Sequence, residues 1–264
     1  EASRIPVRDI YYRPRKDEHG KPYFEVPYLA LETFAAELKG QDGRIIVFLA
    51  NPNNPDGTLL DKNHIRTVAS MLKDANSLLV IDESFIDFAG NDTLQDNEYS
   101  MRFLINEFDN IIVVHSFTKF YAVPGLRIGA AFSNPLIIEQ LNSFIPTWSV
   151  NTLAQAYTEA ALNDVEYVKR TKQELREEQG FMYSSLDAIA SITVYPPSAN
   201  FILFHIDQER ITAESINEAL KKHNMIIRNC DSYMGLNNQW VRVAIKDHDT
   251  NVRLVEKLTD ILKV

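Results

Sequence analysis

Three short, unbroken apolar runs constrain most strongly what this chain can fold into. They are IIVFLA (45–50), LLVID (78–82) and IIVVH (111–115). Each has strand length and none alternates with polar residues, the pattern expected of strands buried on both faces of a parallel sheet. Parallel strands need a crossover between them, usually a helix. Residues 61–76 supply one, with Asp61 placed to cap its first turn. RIGAAF (127–132) reads as a fourth strand. Strands separated by helical segments mean βαβ units, so the expected class is α/β with a mostly parallel sheet.

The remaining segments fall around this frame. Residues 8–27 read as a strand followed by a loop, and 29–39 as a helix stopping at Gly40. NPNNPDG (51–57) is a turn by composition. Residues 134–145 and 152–188 are mainly helical. From Ser191 the order is strand (ITVY), strand (NFILFHI, 200–206), helix (212–223), strand (MIIR), strand (WVRVAI, 240–245), helix (250–262). That is a small α+β unit, and the expected division is a large domain over 1–165 and a linking helix plus small C-terminal domain over 166–264.

Composition removes several classes of function. With 27 basic and 36 acidic residues the formal charge is −9, which argues against nucleic acid as a partner. No run has transmembrane length and no signal-peptide pattern opens the chain, so no membrane partner is expected. A lone cysteine, Cys230, precludes an internal disulfide and fits a reducing, cytoplasmic location. HExxH, paired-cysteine, P-loop and G-x-S-x-G motifs are missing, and no metal site is expected. His115 reads as a strand-end residue, and Asp247-His248-Asp249 as a solvated turn before a helix. The sequence opens at Glu1-Ala2-Ser3 without Met, so a fragment or a processed chain is expected.

In open α/β sheets, ligands bind beyond the carboxyl ends of the strands. Asn54 follows the first run, Asp82 ends the second, Ser116, Thr118 and Lys119 follow the third, and Arg127 opens the fourth. Taken singly, these are a capping aspartate, a solvated lysine and a surface arginine. Taken together, they suit pyridoxal 5'-phosphate (PLP). A lysine can form an imine with an aldehyde. An aspartate deep in the fold can keep a pyridine nitrogen protonated. An asparagine amide can donate to the ring's phenolate oxygen. Two hydroxyls and an arginine can bind a phosphate dianion.

NPNNPDG (51–57), IDESFIDF (81–88) and HSFTKFYAVPGLRIG (115–129) resemble the class I/II aminotransferase family, fold type I of PLP enzymes. Within it the chain is most similar to the histidinol-phosphate aminotransferase group, and closest to its threonine-phosphate decarboxylase branch. The resemblance implies a three-layer αβα large domain and a small C-terminal domain. It makes Lys119 the Schiff-base lysine and Asp82 the partner of the pyridinium nitrogen. Asn54 would contact the ring oxygen O3′, while Ser116, Thr118 and Arg127 would hold the phosphate. It also implies that Arg242 in WVRVAI binds the substrate α-carboxylate and that Arg228 in IIRNCDSYMGL is a second anion-binding arginine. Asn151 and Asn200 are weaker carry-overs on the substrate side.

Two departures from the family pattern matter. Phe85 stands where the aminotransferases usually have a tyrosine donating to O3′, and the decarboxylase branch tends to carry phenylalanine there. The family's opening segment, with its phosphate loop, stacking aromatic residue and part of the dimer contact, has no counterpart in this sequence. The implied activity is decarboxylation of L-threonine O-3-phosphate to (R)-1-aminopropan-2-yl phosphate, a side branch of cobalamin synthesis. The alternatives are a histidinol-phosphate (or other amino-acid) aminotransferase, and a non-catalytic fragment of such an enzyme. A homodimer acting on a small phosphorylated amino acid is expected.

Overall fold

The computed structural model describes residues 6–39, 44–90 and 97–263. It opens with an antiparallel hairpin, β1 (Arg13–Lys16) and β2 (Pro22–Glu25), where a strand and a loop were expected. The Asp17 carboxylate accepts from His19 N (2.9 Å) and Lys21 N (2.8 Å) and Gly20 takes φ +80°, which closes the turn. Helix α1 (Tyr28–Glu37) follows; Gly40, its expected stop, lies outside the described residues.

The three apolar runs form β3 (Ile46–Ala50), β4 (Leu78–Asp82) and β5 (Ile111–Ser116). Between the first two runs lies α2 (Lys62–Asp74), capped as expected by Asp61, which accepts from Asn63 N and His64 N at 2.9 and 3.0 Å. The buried positions of α2, Ile65, Val68, Ala69 and Leu72, recur at helical spacing. They pack with Leu31 and Ala35 of α1 on Leu49, Leu79, Ile81, Ile111 and Val113 of the sheet. Each fully buried aliphatic side chain contributes about 1.5–3 kcal/mol over exposure, so this one face fixes the strand order. The other face differs from the expectation of burial on both sides. β3 is an edge of the described sheet, and its alternate residues Ile46 and Phe48 are 49% and 71% exposed.

After a one-turn helix α3 (Phe117–Phe120) comes β6 (Gly129–Ser133). The sheet order is β3-β4-β5-β6, with β3/β4 and β4/β5 parallel and β5/β6 antiparallel. The fourth strand therefore starts two residues later than expected. Arg127 is in a turn at φ +55° rather than in the strand. Gly129 is required where β6 meets β5, because a Cβ there would lie 2.5 Å from the His115 carbonyl oxygen.

Helices α4 (Pro135–Phe144), α5 (Thr152–Asn163) and α6 (Val165–Asp187) follow. Asp164 divides the expected 152–188 helix: it ends α5, and its side chain caps α6 by accepting from Tyr167 N. The second sheet, ordered β7-β8-β10-β9, comprises β7 (Ile192–Val194), β8 (Phe201–Ile206), β9 (Arg228–Asn229) and β10 (Trp240–Ala244). It is antiparallel throughout. With α7 (Ala213–Lys221) and α8 (His248–Leu262) it encloses a core of its own around Met182, Leu186, Phe204, Ile216, Val241 and Leu258. The expected MIIR strand shrinks to Arg228–Asn229, because the Asn217 side-chain amide takes both the N–H and the C=O of Ile227 in place of a ladder partner. The hairpin joins this sheet: Phe24 of β2 stacks obliquely on Tyr195 and Trp240 at 4.9 and 5.4 Å.

Candidate active site

Strand register brings the candidate residues to one edge of the first sheet. Asp82 is paired with Ala50 on one side and Val114 on the other, so Asn54 and the Ser116–Lys119 segment leave the sheet beside it. Ser116 in turn is opposite Gly129, which brings the Arg127 turn to the same end.

The 51–57 turn is over-determined. Both Asn51–Pro52 and Asn54–Pro55 are cis. The buried Asn51 amide donates to Tyr99 O (2.7 Å) and accepts from Leu60 N (3.0 Å). Asp56 accepts from Asn53 Nδ2 and from Thr58 N, and its burial pushes its carboxyl above the ordinary range. The Ser198 hydroxyl donates to Gly57 O. These contacts leave Asn54 to face the second sheet, where its Oδ1 accepts from Arg242 Nη1 and from the Tyr233 hydroxyl (3.1 Å).

Asp82 is exposed, contrary to the expectation of an aspartate deep in the fold. As the last residue of β4 its side chain leaves the sheet edge. Oδ1 accepts from Ser84 N (2.9 Å) and Ser84 Oγ (2.5 Å), while Oδ2 has no partner among the described residues. The buried acid is the next residue. Glu83 is fully inaccessible, accepts from Met101 N (2.5 Å) and Ser100 Oγ (2.8 Å), and is pushed above its ordinary pKa by burial.

Ser116 Oγ lies 2.8 Å from Thr118 Oγ1, so two hydroxyls share one spot at the start of α3. Lys119 is exposed and makes no hydrogen bond or ion pair among the described residues. Its Nζ stands 5.9 Å from the centre of the Phe85 ring. Phe85 meets Phe201 edge-to-face at 5.3 Å, and the Arg242 guanidinium lies over Phe201 at 5.0 Å. Arg127 is exposed, with one N–H on Pro124 O (3.0 Å).

Arg242 and Arg228 are register partners across β10 and β9. Arg242 donates to Asn54, and Arg228 to Ser232 Oγ at 2.8 Å with its guanidinium 5.7 Å over Tyr233. Neither has an acidic partner among the described residues. Like charges directly opposite on a sheet repel, so an anion between the two would relieve the pair.

The two asparagines differ. Asn151 is fully used by the scaffold: it caps α5 through Ala154 N (2.9 Å) and donates to Leu126 O (3.1 Å), which braces the Arg127 turn. Asn200 lies just before β8, with its backbone oxygen accepting from Ile245 N (2.9 Å) and its side chain without a described partner. Sequence reasoning missed Ser84, Phe201 and Tyr233. Phe201 is hidden in an apolar run, and Tyr233 in a turn whose partner is 179 residues away. A cleft of about 1310 Å³ lies elsewhere, between the hairpin, α1 and the 56–61 turn, and does not include Lys119.

Behind the strand edge, His115 Nε2 meets Asp87 Oδ2 at 2.8 Å, with side chains 4% and 6% exposed. His115 is thus the strand-end residue expected. Asp87 sits in a 3-10 turn (Ile86–Phe88) that Asn97 and Lys172 also hold through backbone carbonyls of Ile86 and Ala89.

The sequence profile described as aminotransferase class I and II matches residues 11–258. The chain belongs to that family. It is 35% identical over 222 residues to a threonine-phosphate decarboxylase of Salmonella typhimurium, covering 82% of this chain and 57% of that protein. It is 31% identical over 218 residues to a histidinol-phosphate aminotransferase of Methanothermobacter thermautotrophicus, covering 83% and 56%. The chain therefore spans little more than half the length of these curated relatives. Its fold is shared with the histidinol-phosphate aminotransferase of Sinorhizobium meliloti solved in complex with PLP (TM-score 0.75, 21% identity, 88% of this chain and 61% of that one).

The family is PLP-dependent, and the residues present fit that group. The paired hydroxyls suit a phosphate, the free oxygen of Asp82 suits a protonated ring nitrogen, and the lysine amine is not tied up in an ion pair. No described helix is long and apolar enough to cross a membrane.

Proposed function

We propose that this protein is a PLP-dependent lyase that converts L-threonine O-3-phosphate to (R)-1-aminopropan-2-yl phosphate and CO2, a step of cobalamin side-chain synthesis. The observation that carries the reading is the Arg242–Arg228 register pair without acidic partners, which suits a substrate with a carboxylate at one end and a phosphate at the other. Lys119 would hold the cofactor's aldehyde carbon, Asp82 a proton on its ring nitrogen, Asn54 its phenolic oxygen, and Ser116, Thr118 and Arg127 its phosphate. When bound, PLP supplies an electron sink for whichever Cα bond stands perpendicular to its ring. Arg242 and Arg228 decide which bond that is by fixing the two anionic ends. Lys119 would also be the acid–base group, placed to deliver a proton to the substrate's Cα.

The second reading, a histidinol-phosphate aminotransferase, is favoured by the 31% identical relative. The arginine pair also suits the dicarboxylate partner of a transaminase. Phe85 separates the two, since a phenyl ring cannot give the hydrogen bond that the aminotransferase tyrosine gives. We also take residues 1–165 as the large domain and 166–264 as a linking helix and the small C-terminal domain, the location as cytoplasmic, in keeping with a lone cysteine, and the assembly as a homodimer. Supporting the last are the exposed apolar residues Phe144, Trp148 and Leu153 around α4 and α5, 84%, 93% and 75% accessible.

The test uses the full natural protein with PLP. CO2 release from threonine phosphate without added keto acid is expected, and borohydride should fix the cofactor to the wild type but not to Lys119→Ala. No CO2, together with 2-oxoglutarate-dependent turnover of histidinol phosphate, replaces this reading with the second. A colourless protein that takes up no PLP removes both.

A further inference from the structure

We propose that Tyr233 is a positioning residue that aims the Asn54 amide at the cofactor and so takes over, from the second sheet, the part that Phe85 cannot play. The inference rests on the cofactor site proposed above.

Asn54 Oδ1 accepts two hydrogen bonds, from the Tyr233 hydroxyl and from Arg242 Nη1. A guanidinium has no acceptor, so the reversed amide would set its NH2 against the N–H donors of Arg242. The amide is therefore locked with Nδ2 as its outward group, and Nδ2 has no partner among the described residues. It is available as the donor for the ring oxygen O3′. Phe85, at the position that could bring a second donor, contributes only a ring, packed between Lys119 and Phe201.

Two donors on one oxygen look redundant until their anchoring is compared. Arg242 is the candidate for the substrate carboxylate, and its contact with Asn54 must loosen when it turns to that anion. Tyr233 has no such second duty. Its N–H donates to Cys230 O and its C=O accepts from Leu236 N, both at 3.0 Å. Its ring packs on the Phe24, Tyr195, Leu203, Cys230 and Trp240 cluster under the Arg228 guanidinium. Tyr233 thus keeps Asn54 in place when Arg242 changes partner. Among the described contacts, the charged groups beside it are Arg228, over its ring, and Arg242, which shares Asn54 Oδ1 with it.

The experiment is a pH titration of the visible absorption band of the PLP-loaded full chain for wild type, Tyr233→Phe, Asn54→Ala and the double variant. A donor on O3′ competes with the protonated cofactor–lysine nitrogen for that oxygen, so weakening the donor raises the titration midpoint. One neutral hydrogen bond corresponds to an upward move of about 0.4 to 1 pH unit. We expect Tyr233→Phe, which keeps the ring packing, to raise the midpoint by about that much. The double variant should titrate with Asn54→Ala, because Tyr233 acts through Asn54.

A Tyr233→Phe midpoint equal to wild type, with Asn54→Ala raised, overturns the inference and leaves the cofactor site standing. Additive shifts also overturn it, since Tyr233 would then act apart from Asn54. If Asn54→Ala does not move the midpoint, or no band forms, the inference and the cofactor site fail together.

Discussion

Asp87→Ala tests whether the turn that carries Phe85 is held to the strand end that carries Lys119. The Asp87–His115 contact is 2.8 Å long between side chains 4–6% exposed. His115 Nδ1 already has no partner, so removing the carboxylate leaves both ring nitrogens unpaired in the interior. Breaking a buried pair costs about 3–5 kcal/mol when the surviving charge is trapped, and an unsatisfied buried neutral group about 1–3 kcal/mol. The expected cost, where those two ranges meet, is about 3 kcal/mol. For a chain of this size that is a loss of about 6–12 °C in melting temperature, at roughly 2–4 °C per kcal/mol. Thermal or urea unfolding of the cofactor-free protein measures it, and PLP affinity should fall in parallel as Phe85 and Lys119 lose their common support. The double replacement Asp87→Leu/His115→Leu leaves no orphaned polar group and should cost less than Asp87→Ala alone. An Asp87→Ala protein within about 0.5 kcal/mol of wild type, or a double variant worse than the single, would refute the reasoning.

Glu83→Gln should be relatively more stable than wild type as pH rises. Burial raises the Glu83 carboxyl above its ordinary 4.5, so its favourable contribution is complete below that value and is lost as pH climbs through the raised one. Urea unfolding from about pH 4 to 7 should show wild type declining against the variant, and parallel curves would contradict the assignment. Cys230 is fully buried and its thiol is pushed up to about 11 by burial, so the folded protein should react with a thiol reagent at pH 8 far more slowly than the unfolded chain; equal rates would refute its burial. Gly129→Ala should lower stability by about 1–3 kcal/mol in a thermal melt, because the new Cβ meets a backbone oxygen at 2.5 Å in a strand pair with no room to yield; an unchanged melting temperature would overturn that.

The first sheet was legible because apolar runs and helical spacing are local signals. Asp61 and Asp247 could be read as caps or turns for the same reason, and both cap helices here. The direction of β6 was not legible, since nothing in RIGAAF distinguishes a parallel from an antiparallel neighbour. The truncated MIIR strand was hidden because its competitor is a side chain, Asn217, ten residues upstream. The DE dipeptide misled in a more instructive way. Successive strand residues point to opposite sides, and the interior took Glu83 while the edge took Asp82. For the candidate site, the strand ends pointed to Asn54, Asp82, Ser116, Thr118, Lys119 and Arg127, which the register brings to one end of the sheet. Tyr233 and Phe201 gave no sign, because each acquires its part only when the second sheet closes against the first.

That closure bears on the choice of reaction. Lys119, Asp82 and Asn54 belong to the first sheet, and Arg242 and Arg228 to the second. In the proposed reaction, the angle between a bound amino acid and a cofactor on the first sheet would therefore be set by how the two sheets meet. Two contacts fix that meeting near the site: Arg242 and Tyr233 on Asn54, and Phe201 on Phe85. In the first, the Arg242 bond is exchangeable by a substrate carboxylate while the Tyr233 bond is not; the second is an apolar edge-to-face packing that a substrate leaves alone. A tyrosine at position 85 would put a hydroxyl among these rings as well as a donor beside the cofactor. Phe85 therefore does more than omit a hydrogen bond. It belongs to the packing beside Arg242, and in the proposed reaction the angle of the arginine pair would select between losing a proton and losing CO2.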